Sequence, residues 1–290
     1  MTLPEIDAKA FHAFEHEGWL RASDAYHRYL GTLTAQTIEP LLDAVEQTGH
    51  PGRQRVEPGG SDAPGATLLD IASGPGYVAA AAKRRGWSPV GIDFSESMVA
   101  LARKLHPGID FRIGDAEALA FSDGQFDRAV MNFGILHLAQ PDVAIREAHR
   151  VLRGGGRFAF TAWAKPDEAV GFRIALRAVE EFGDPNVPLP PGPPFFRFSD
   201  REECRRVLEG CGFGNVAVTQ LPLMWRLATP SDVFEAFYNG SARTGGLLRA
   251  QTPVALAKVH EAILASAAAF TRGDHLEIPM PALVVSARKP

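Results

Sequence analysis

Cysteine, long apolar runs and basic clusters are all scarce in this sequence of 290 residues. Its two cysteines, Cys204 and Cys211, have neither CxxC spacing nor a nearby histidine cluster, which predicts reduced structural thiols. No window reaches the roughly 18 uninterrupted apolar residues that a membrane span needs. The N-terminus is acidic and lacks the basic-then-apolar layout of a signal peptide. We therefore expect a cytoplasmic protein without a membrane span.

Neither sign of charge is in excess, because 30 Lys and Arg stand against 34 Asp and Glu, for a formal net charge of −4. No basic run is long enough to follow a phosphate backbone, so we expect no nucleic-acid partner. The nine histidines are scattered without the spacing of metal ligands, and we expect no metal site. The expected partner is a small molecule, bound by a monomer or a homodimer.

Short apolar runs alternate with helical patterns from residue 66 onward. The strand candidates read ATLLDIA, PVGID, DFRIG, FDRAVMN, RFAFTAW, NVAVTQL and PALVVSARK, and helical stretches separate most of them. Continuously apolar strands that alternate with helices pair in parallel, with helices on both faces of the sheet. The sequence therefore predicts an α/β fold with a doubly wound, Rossmann-like sheet.

Composition divides the chain further. Residues 1–48 have helical spacing with aromatic side chains and form either a lid or an apolar stripe packed on the sheet. The following stretch to residue 66 is rich in Gly, Pro and charge, which indicates an exposed loop. We expect a core domain over 66–221, a further segment over 222–280 and a last core strand over 281–290.

One glycine-rich turn lies where the first strand meets its helix. Glycines there let the backbone approach a ligand, and the helix start offers free N–H donors. The run Gly74-x-Gly76-x-x-Ala79 lacks the third glycine of a dinucleotide fingerprint. Asp70, at the strand end, would repel a pyrophosphate but suits a cationic amino-acid group. Its alternative role is to cap the turn.

Three further turns follow the next three strands. Asp93 can accept hydrogen bonds from both hydroxyls of a ribose, or can cap the helix that begins at Ser95. Asp115 and Ala116 can bind an adenine amino group, or begin a turn. Asn132 and Phe133 lie after the fourth strand. The carboxyl ends of parallel strands are where open α/β sheets bind ligands.

These turns together resemble the class I S-adenosylmethionine (SAM)-dependent methyltransferases, within them the small-molecule group typified by ubiquinone/menaquinone-biosynthesis C-methyltransferases. The resemblance rests on DIASGPG, GIDFSESMVALAR, GDAEALAFSDGQFDRAVMNFGILHL and EAHRVLRGGGRFAFTAW, within residues 66–163. It implies a seven-stranded, mostly parallel sheet whose last strand is antiparallel. It also implies that SAM is the cofactor and that residues 222–280 are an insertion, which we expect to form a helical cap over the acceptor.

The resemblance assigns cofactor roles by position. The methionine part would be held by Asp70, Ala72, Gly74 and Gly76, and the ribose by Asp93. Phe94 and Met98 would pack on the adenine, which Asp115 and Ala116 would bind, while Asn132 and Phe133 would border the sulfonium. Tyr26, with Phe14 and Trp19, would cover the cofactor if the N-terminal segment is a lid.

The acceptor side is less defined. His137 is the histidine nearest the expected transfer point, where it could act as a general base, orient the acceptor or simply pack at a helix end. About half of the following aromatics are expected to line an apolar acceptor pocket: Phe195, Phe196, Phe198, Trp225, Phe234, Phe237 and Tyr238. The expected function is methyl transfer to carbon or oxygen of a small apolar or aromatic metabolite. The alternatives are an NAD(P)-dependent oxidoreductase and a catalytically inactive SAM-binding regulatory protein.

Overall fold

The N-terminal segment is a chain of short helical pieces. A computed structural model describes residues 7–46 and 65–290, so most of the loop predicted over 49–66 lies outside the described residues. Helix α1 begins after Asp7, whose carboxylate accepts from the backbone N–H of Lys9 and Ala10 at 3.1 and 3.0 Å. The pieces are α1 (Ala8–Ala25), a π-helical turn (Tyr26–Leu30), α2 (Gly31–Thr34), a 3₁₀ turn (Ala35–Thr37) and α3 (Ile38–Val45).

The strands that follow are β1 (Thr67–Ile71), β2 (Ser88–Asp93), β3 (Asp110–Ile113), β4 (Phe126–Met131), β5 (Leu152–Trp163), β6 (Gly214–Leu221), β7 (Met224–Leu227), β8 (Thr271–Arg272), β9 (His275–Pro279) and β10 (Ala282–Arg288). Seven of them form one sheet in the order β3-β2-β1-β4-β5-β10-β6. Strands β1 to β5 are parallel, whereas β10 is antiparallel to both β5 and β6. The doubly wound fold and its antiparallel last strand are thus confirmed.

Helices connect the strands and cover the sheet. They are α4 (Tyr77–Arg84), α5 (Glu96–Leu105), α6 (Pro141–Val151), α7 (Val170–Phe182), α8 (Arg201–Gly210), α9 (Pro230–Gly240), α10 (Arg243–Arg249) and α11 (Pro253–Ala268), with 3₁₀ turns at Gly134–His137 and Arg197–Ser199. Side chains cap three of them at the N-terminus, since Ser95 caps α5, as predicted, Asp200 caps α8 and Thr252 caps α11. Within residues 7–46 and 65–290, no helix combines the length and apolarity needed to cross a membrane.

The segment 222–280 contains more than the predicted helices. Alongside α9, α10 and α11 it forms a small antiparallel sheet in the order β7-β9-β8. Trp225 and Leu227 of β7 are buried, while Arg226 between them is exposed. The helical prediction missed this sheet because β7 is separated from its partner β9 by α9, α10 and α11, and no local pattern links the two strands.

Two turns at the carboxyl edge of the core sheet touch directly. A Cβ on Gly134 would lie 2.5 Å from Cβ of Ala72 and 2.8 Å from Cγ of Met131. Only glycine fits there, so the turn after β4 can pack against the turn after β1. This contact brings the sequence-predicted turns together around one cleft.

Candidate functional site

A cleft opens at the carboxyl ends of β1, β2, β3 and β4, under α1 and the start of α10. Most of the predicted site residues line it: Tyr26, Ala72, Gly74, Asp93, Phe94, Met98, Asp115, Ala116, Asn132, Phe133 and His137.

The turn after β1 is built on left-handed backbone conformations. Ala72, Gly74 and Gly76 have φ of 53°, 50° and 81°, and a side chain on Gly76 would also collide with the ring of Phe111. The N–H of Gly74 donates to Oδ2 of Asp93 at 2.8 Å. In a dinucleotide site such a turn N–H would face a pyrophosphate. Here a carboxylate already holds it.

Asp93 is the central polar group of the cleft. Its side chain is nearly buried, and its Oδ1 accepts from the N–H of Ser95 at 2.9 Å. Burial raises the pKa of this carboxyl to about 6, and the two backbone N–H bonds oppose the rise. Each carboxylate oxygen has a second lone pair, so Asp93 can still accept two hydroxyl donors from the cleft.

Asp70 and Gly76 lie behind the cleft, outside its lining. Oδ2 of Asp70 accepts from the N–H of Ala79 in α4 at 3.0 Å, while Oδ1 is buried without a hydrogen-bond partner among the described residues. Burial raises the pKa of this carboxyl to about 7. The contact with Ala79 matches the capping alternative, and the cofactor contact of Asp70 and Gly76 stays a prediction.

The end of the cleft beside β2 and β3 is lined by apolar side chains and one carboxylate. Phe94 and the buried Met98 line it beside Asp115 and Ala116. The ring of Phe94 meets the edges of His12 and His16 from α1, with centroids 5.4 and 5.5 Å apart. An adenine ring would fit this apolar slot because its faces are apolar and its edge is polar.

Asn132 and Phe133 mark the middle of the cleft. Oδ1 of Asn132 accepts from the hydroxyls of Thr37 and Thr161 at 2.8 and 2.7 Å, and its Nδ2 donates to the carbonyl of Thr34 at 3.2 Å. Phe133 has a φ of 57° and stacks on Trp163 at 4.1 Å. The Asn132 side chain therefore joins the N-terminal segment to the sheet.

The N-terminal segment covers the cleft. Tyr26 and Trp19 line it and meet edge to face at 5.5 Å, whereas Phe14 packs on Phe11 outside it. The hydroxyl of Tyr26 bonds to that of Thr34 at 2.9 Å, and burial raises its pKa far above the usual range. The position of α1 therefore fits the lid alternative.

Aromatic rings line the other end of the cleft, where the acceptor pocket is predicted. Of the seven aromatics predicted there, Phe195 and Phe237 line the cleft, together with Trp163 and Phe172. The other five belong to the hydrophobic core or pack against it: Phe196, Phe198, Trp225, Phe234 and Tyr238. Sequence alone could not make this division, because core and pocket aromatics have the same spacing.

Two charged residues near the cleft were not predicted from the sequence. Glu15 of α1 is fully buried and its Oε2 lies 3.0 Å from Nδ1 of His137. Arg243, which lines the cleft, has its Nε 3.7 Å from Oε1 of Glu15. The spacing of His12, Glu15 and Trp19 is that of one helix face and was a usable signal for Glu15. Arg243 lies in the inserted segment and had no such signal.

A seven-stranded sheet in the order found here, with an antiparallel strand between β5 and β6 and a covered cleft at the ends of β1 to β4, defines the class I methyltransferase fold. Comparison with known proteins agrees. Residues 69–160, which run from β1 into β5, match a family described as a methyltransferase domain. Residues 69–160 are therefore similar to a methyltransferase domain, and the fold around them is that of the class I methyltransferases.

Two curated relatives share this core. The demethylmenaquinone methyltransferase of Renibacterium salmoninarum is 35% identical over 103 residues, which cover 36% of this chain and 44% of that protein. The ubiquinone/menaquinone biosynthesis C-methyltransferase UbiE of Bradyrhizobium diazoefficiens is 42% identical over 112 residues, with the same two coverages of 36% and 44%. The chain thus spans less than half the length of these curated relatives.

A solved structure extends the likeness to the whole fold. Phosphoethanolamine N-methyltransferase 2 of Haemonchus contortus, solved with phosphomonomethylethanolamine and S-adenosylhomocysteine, superposes with a TM-score of 0.53. The match covers 97% of this chain and 60% of that one at 17% identity. At this identity the likeness concerns the fold alone.

Proposed function

We propose that this protein is a SAM-dependent methyltransferase that acts on a small aromatic or apolar metabolite. The observation that carries the proposal is one continuous cleft that is acidic at Asp93 and Asp115 and walled by aromatic rings at its other end. SAM carries a positive sulfonium and a positive amino group, and both are favoured near carboxylates. When bound, SAM supplies an activated methyl group.

The residues of the cleft fit the parts of SAM in order. Asp93 would accept from the ribose hydroxyls, in charge-assisted bonds worth roughly 1.5–3 kcal/mol each. Phe94 and Met98 would pack on the adenine, with Asp115 at its polar edge. The turn of Ala72 and Gly74 would hold the methionine part. The sulfonium would lie near Phe133 and Tyr26, whose rings can stabilise a cation by about 0.5–2 kcal/mol.

The NAD(P) alternative is disfavoured by the same geometry. The N–H of Gly74 is bound to Asp93, so a pyrophosphate would have to displace a carboxylate and then lie beside it. Asp93, Asp115, Tyr26 and two histidines, His12 and His137, are the ionisable groups at the cofactor side and middle of the lining, while Arg243 lies at the acceptor side. A dianionic phosphate bridge would therefore face net negative charge.

The acceptor end supports an aromatic acceptor. Trp163, Phe172, Phe195 and Phe237 offer flat apolar walls, and such rings bind planar molecules by stacking and edge contacts. In-line transfer needs alignment and exclusion of water, and positioning alone can supply about 7–11 kcal/mol. The two relatives carry the names of quinone methyltransferases, so demethylated quinols and simpler phenols form the first acceptor panel.

Calorimetry tests the proposal directly. SAM and S-adenosylhomocysteine (SAH) should bind to the purified protein with stoichiometry near one, and NAD and NADP should not. A methyltransferase assay over the quinol and phenol panel, reading SAH as product, should then identify the acceptor. Tight binding of NAD, or failure of both SAM and SAH to bind, would refute the proposal.

A further inference from the structure

A buried carboxylate holds the histidine of the cleft from the lid side. Glu15 of α1 is fully buried, and its Oε2 lies 3.0 Å from Nδ1 of His137. Nε2 of His137 has no hydrogen-bond partner among the described residues. The ring of His137 is also held edge to face by Trp19 at 4.8 Å. His137 itself lines the cleft, so Nε2 is the ring nitrogen left for a bound molecule.

Charge around this pair is nearly balanced. Arg243 lies 3.7 Å from the second oxygen of Glu15 and donates to the carbonyl of Pro193 at 2.9 Å. The charged and titratable groups that face His137 are therefore Glu15 from α1, Arg243 from α10 and, at longer range, Asp93 from β2 and Tyr26 from the π-helical turn. A carboxylate this deeply buried is costly unless it is paired, so its place beside a cleft histidine calls for a function.

We propose that Glu15 positions and charge-stabilises His137 as the base that removes the hydroxyl proton of a phenol- or enol-type acceptor, an inference that rests on the proposed methyl transfer. Glu15 is then a positioning residue, and the acceptor class is an aromatic or conjugated molecule with an acidic O–H. A carboxylate that orients an imidazole and stabilises its protonated form is a recurring arrangement in acid–base catalysis.

The proposed step balances in charge and atoms. The acceptor O–H bond breaks, its proton goes to Nε2 of His137, and the electron pair stays on the acceptor oxygen. That pair, or the ring carbon conjugated with it, forms the bond to the methyl carbon, and the C–S electron pair remains on sulfur. Where a ring carbon is methylated, its C–H bond then breaks and a proton returns to the acceptor oxygen. The positive charge of the sulfonium is thereby replaced by that of the imidazolium, which Glu15 stabilises.

The position of Glu15 on α1 adds a consequence. Its partner His137 belongs to the turn after β4, so the base pair exists only while the lid helix lies on the cleft. The proton is therefore removed only in a covered site, where the phenolate is shielded from water. An open site would leave His137 without its carboxylate.

A chromogenic phenol tests the inference without knowledge of the natural acceptor. The probe is para-nitrophenol, whose phenolate is yellow, bound to the complex of the full chain with SAH. One pH unit below the solution pKa of the probe, about a tenth of it is ionised in water. We expect the bound probe to be mostly phenolate in the wild type. In Glu15→Gln and His137→Gln the proton affinity of the bound probe should be at least tenfold higher, so that most of it is the neutral phenol.

Controls separate this role from a structural one. Glu17→Gln changes an exposed acid on the same helix and should leave the probe ionised. Glu15→Asp keeps the charge and should give intermediate ionisation, which also guards against poor folding of Glu15→Gln. The affinity for SAH, measured by calorimetry, should stay within about twofold in the Glu15 variants, whereas failure of the wild type to bind SAH refutes the proposed function instead.

Three results would overturn the inference. The first is a bound probe that is equally ionised in the wild type and Glu15→Gln. The second is a wild-type complex with SAH that does not take up para-nitrophenol at all. The third is loss of SAH binding together with ionisation in Glu15→Gln, which would limit Glu15 to holding the lid.

Discussion

Buried carboxylates give the cleft its chemical character at the scale of single residues. Asp70, Asp93 and Glu15 are almost without solvent contact, yet each has a different partner. Asp70 holds the start of α4, Asp93 holds the glycine turn and Glu15 holds His137. A buried carboxylate with spare lone pairs gains by receiving a donor, so such groups favour a polar, cationic ligand.

Binding of SAH should depend on pH through Asp93. Ribose hydroxyls bind the ionised carboxylate, whose pKa in the free protein is raised to about 6. The affinity should therefore be full above about pH 7 and fall as the pH drops below 6, down to the level reached when residue 93 is neutral. Calorimetry over this range measures it.

Asp93→Asn is the matched variant for that titration. It keeps the size of the side chain and removes the ionisation, so its SAH affinity should be weaker by about 1–3 kcal/mol at neutral pH and should lose the step near pH 6. A wild-type affinity that is flat from pH 5 to pH 8 would contradict the ribose assignment.

Asp70 should make folding stability depend on pH in the opposite sense. Its pKa is raised on folding from 3.8 to about 7, so the neutral form is favoured in the folded state. Its stabilising contribution is complete below about pH 4 and is lost as the pH rises through 7. In Asp70→Asn this loss is absent.

Urea unfolding of the two proteins measures the effect. The free energy of unfolding of Asp70→Asn, relative to that of the wild type, should rise by about 2–4 kcal/mol between about pH 4 and pH 8. Parallel pH curves for the two proteins would contradict the prediction. Calorimetry with SAH on the same variant separates the predicted cofactor contact of Asp70 from its observed bond to Ala79.

Sequence could predict Asp93 but not the pair of Glu15 and Arg243. Asp93 lies between a strand and a helix, so the local pattern predicts that it is at the carboxyl edge of the sheet, where ligands bind. Glu15 and Arg243 are more than 200 residues apart in the chain, and they meet only because α1 packs on the inserted segment. No local rule links two such positions.

At the scale of elements, close backbone packing fixes the position of α1, the helix of the predicted lid. A Cβ on Gly18 of α1 would lie 2.6 Å from Cβ and 2.9 Å from Cα of Ala242, at the start of α10. On the cofactor side, His16 pairs with Glu96 at 2.9 Å, and the hydroxyl of Ser97 donates to the carbonyl of Trp19 at 3.2 Å. The lid thus bridges the core and the inserted segment.

Gly18→Ala should loosen the lid. Alanine normally favours a helix over glycine by about 1 kcal/mol, but here its methyl group meets the backbone of Ala242 and must displace α1. We expect an SAH affinity weaker by at least about fivefold and faster amide hydrogen exchange in α1. Gly210→Ala, in α8 with no atom within 4 Å of the added Cβ, is the control and should change neither. Equal affinities in the two variants would contradict a close-packed lid.

The sequence predicted all seven strands of the core sheet but not the three strands of the small sheet. Strands β1 to β6 and β10 were all anticipated, since each is an apolar run bounded by turn residues. Strands β7, β8 and β9 were missed, because β7 is separated from its partner β9 by three helices and the neighbouring β8 has only two residues, both exposed. Tertiary contact, rather than local preference, decides such segments.

One hydrophobic cluster unites the parts at the scale of the whole molecule. It includes Leu30 and Leu33 from the N-terminal segment, Phe158 and Phe160 from the core sheet, and Trp225 from β7. Polar contacts reinforce the same union. The side chain of Gln36 donates to the carbonyl and accepts from the N–H of Met224, at 2.8 and 3.1 Å. Lid, core and inserted segment are therefore packed as one structural unit.

Unfolding should accordingly be a single cooperative event. Trp225 is fully buried, and its Nε1 donates to the carbonyl of Tyr29 at 2.8 Å, which ties β7 to the N-terminal segment. Trp225→Phe keeps an aromatic ring but leaves that carbonyl unpaired, at a cost of about 1–3 kcal/mol in the free energy of unfolding. Far-ultraviolet and near-ultraviolet circular dichroism should report coincident urea transitions in both proteins, shifted together in the variant.

Hydrogen exchange should show the lid, core and inserted segment losing protection in parallel. An inserted segment that exchanges well before the core, in either protein, would show that it folds apart and would contradict a shared core.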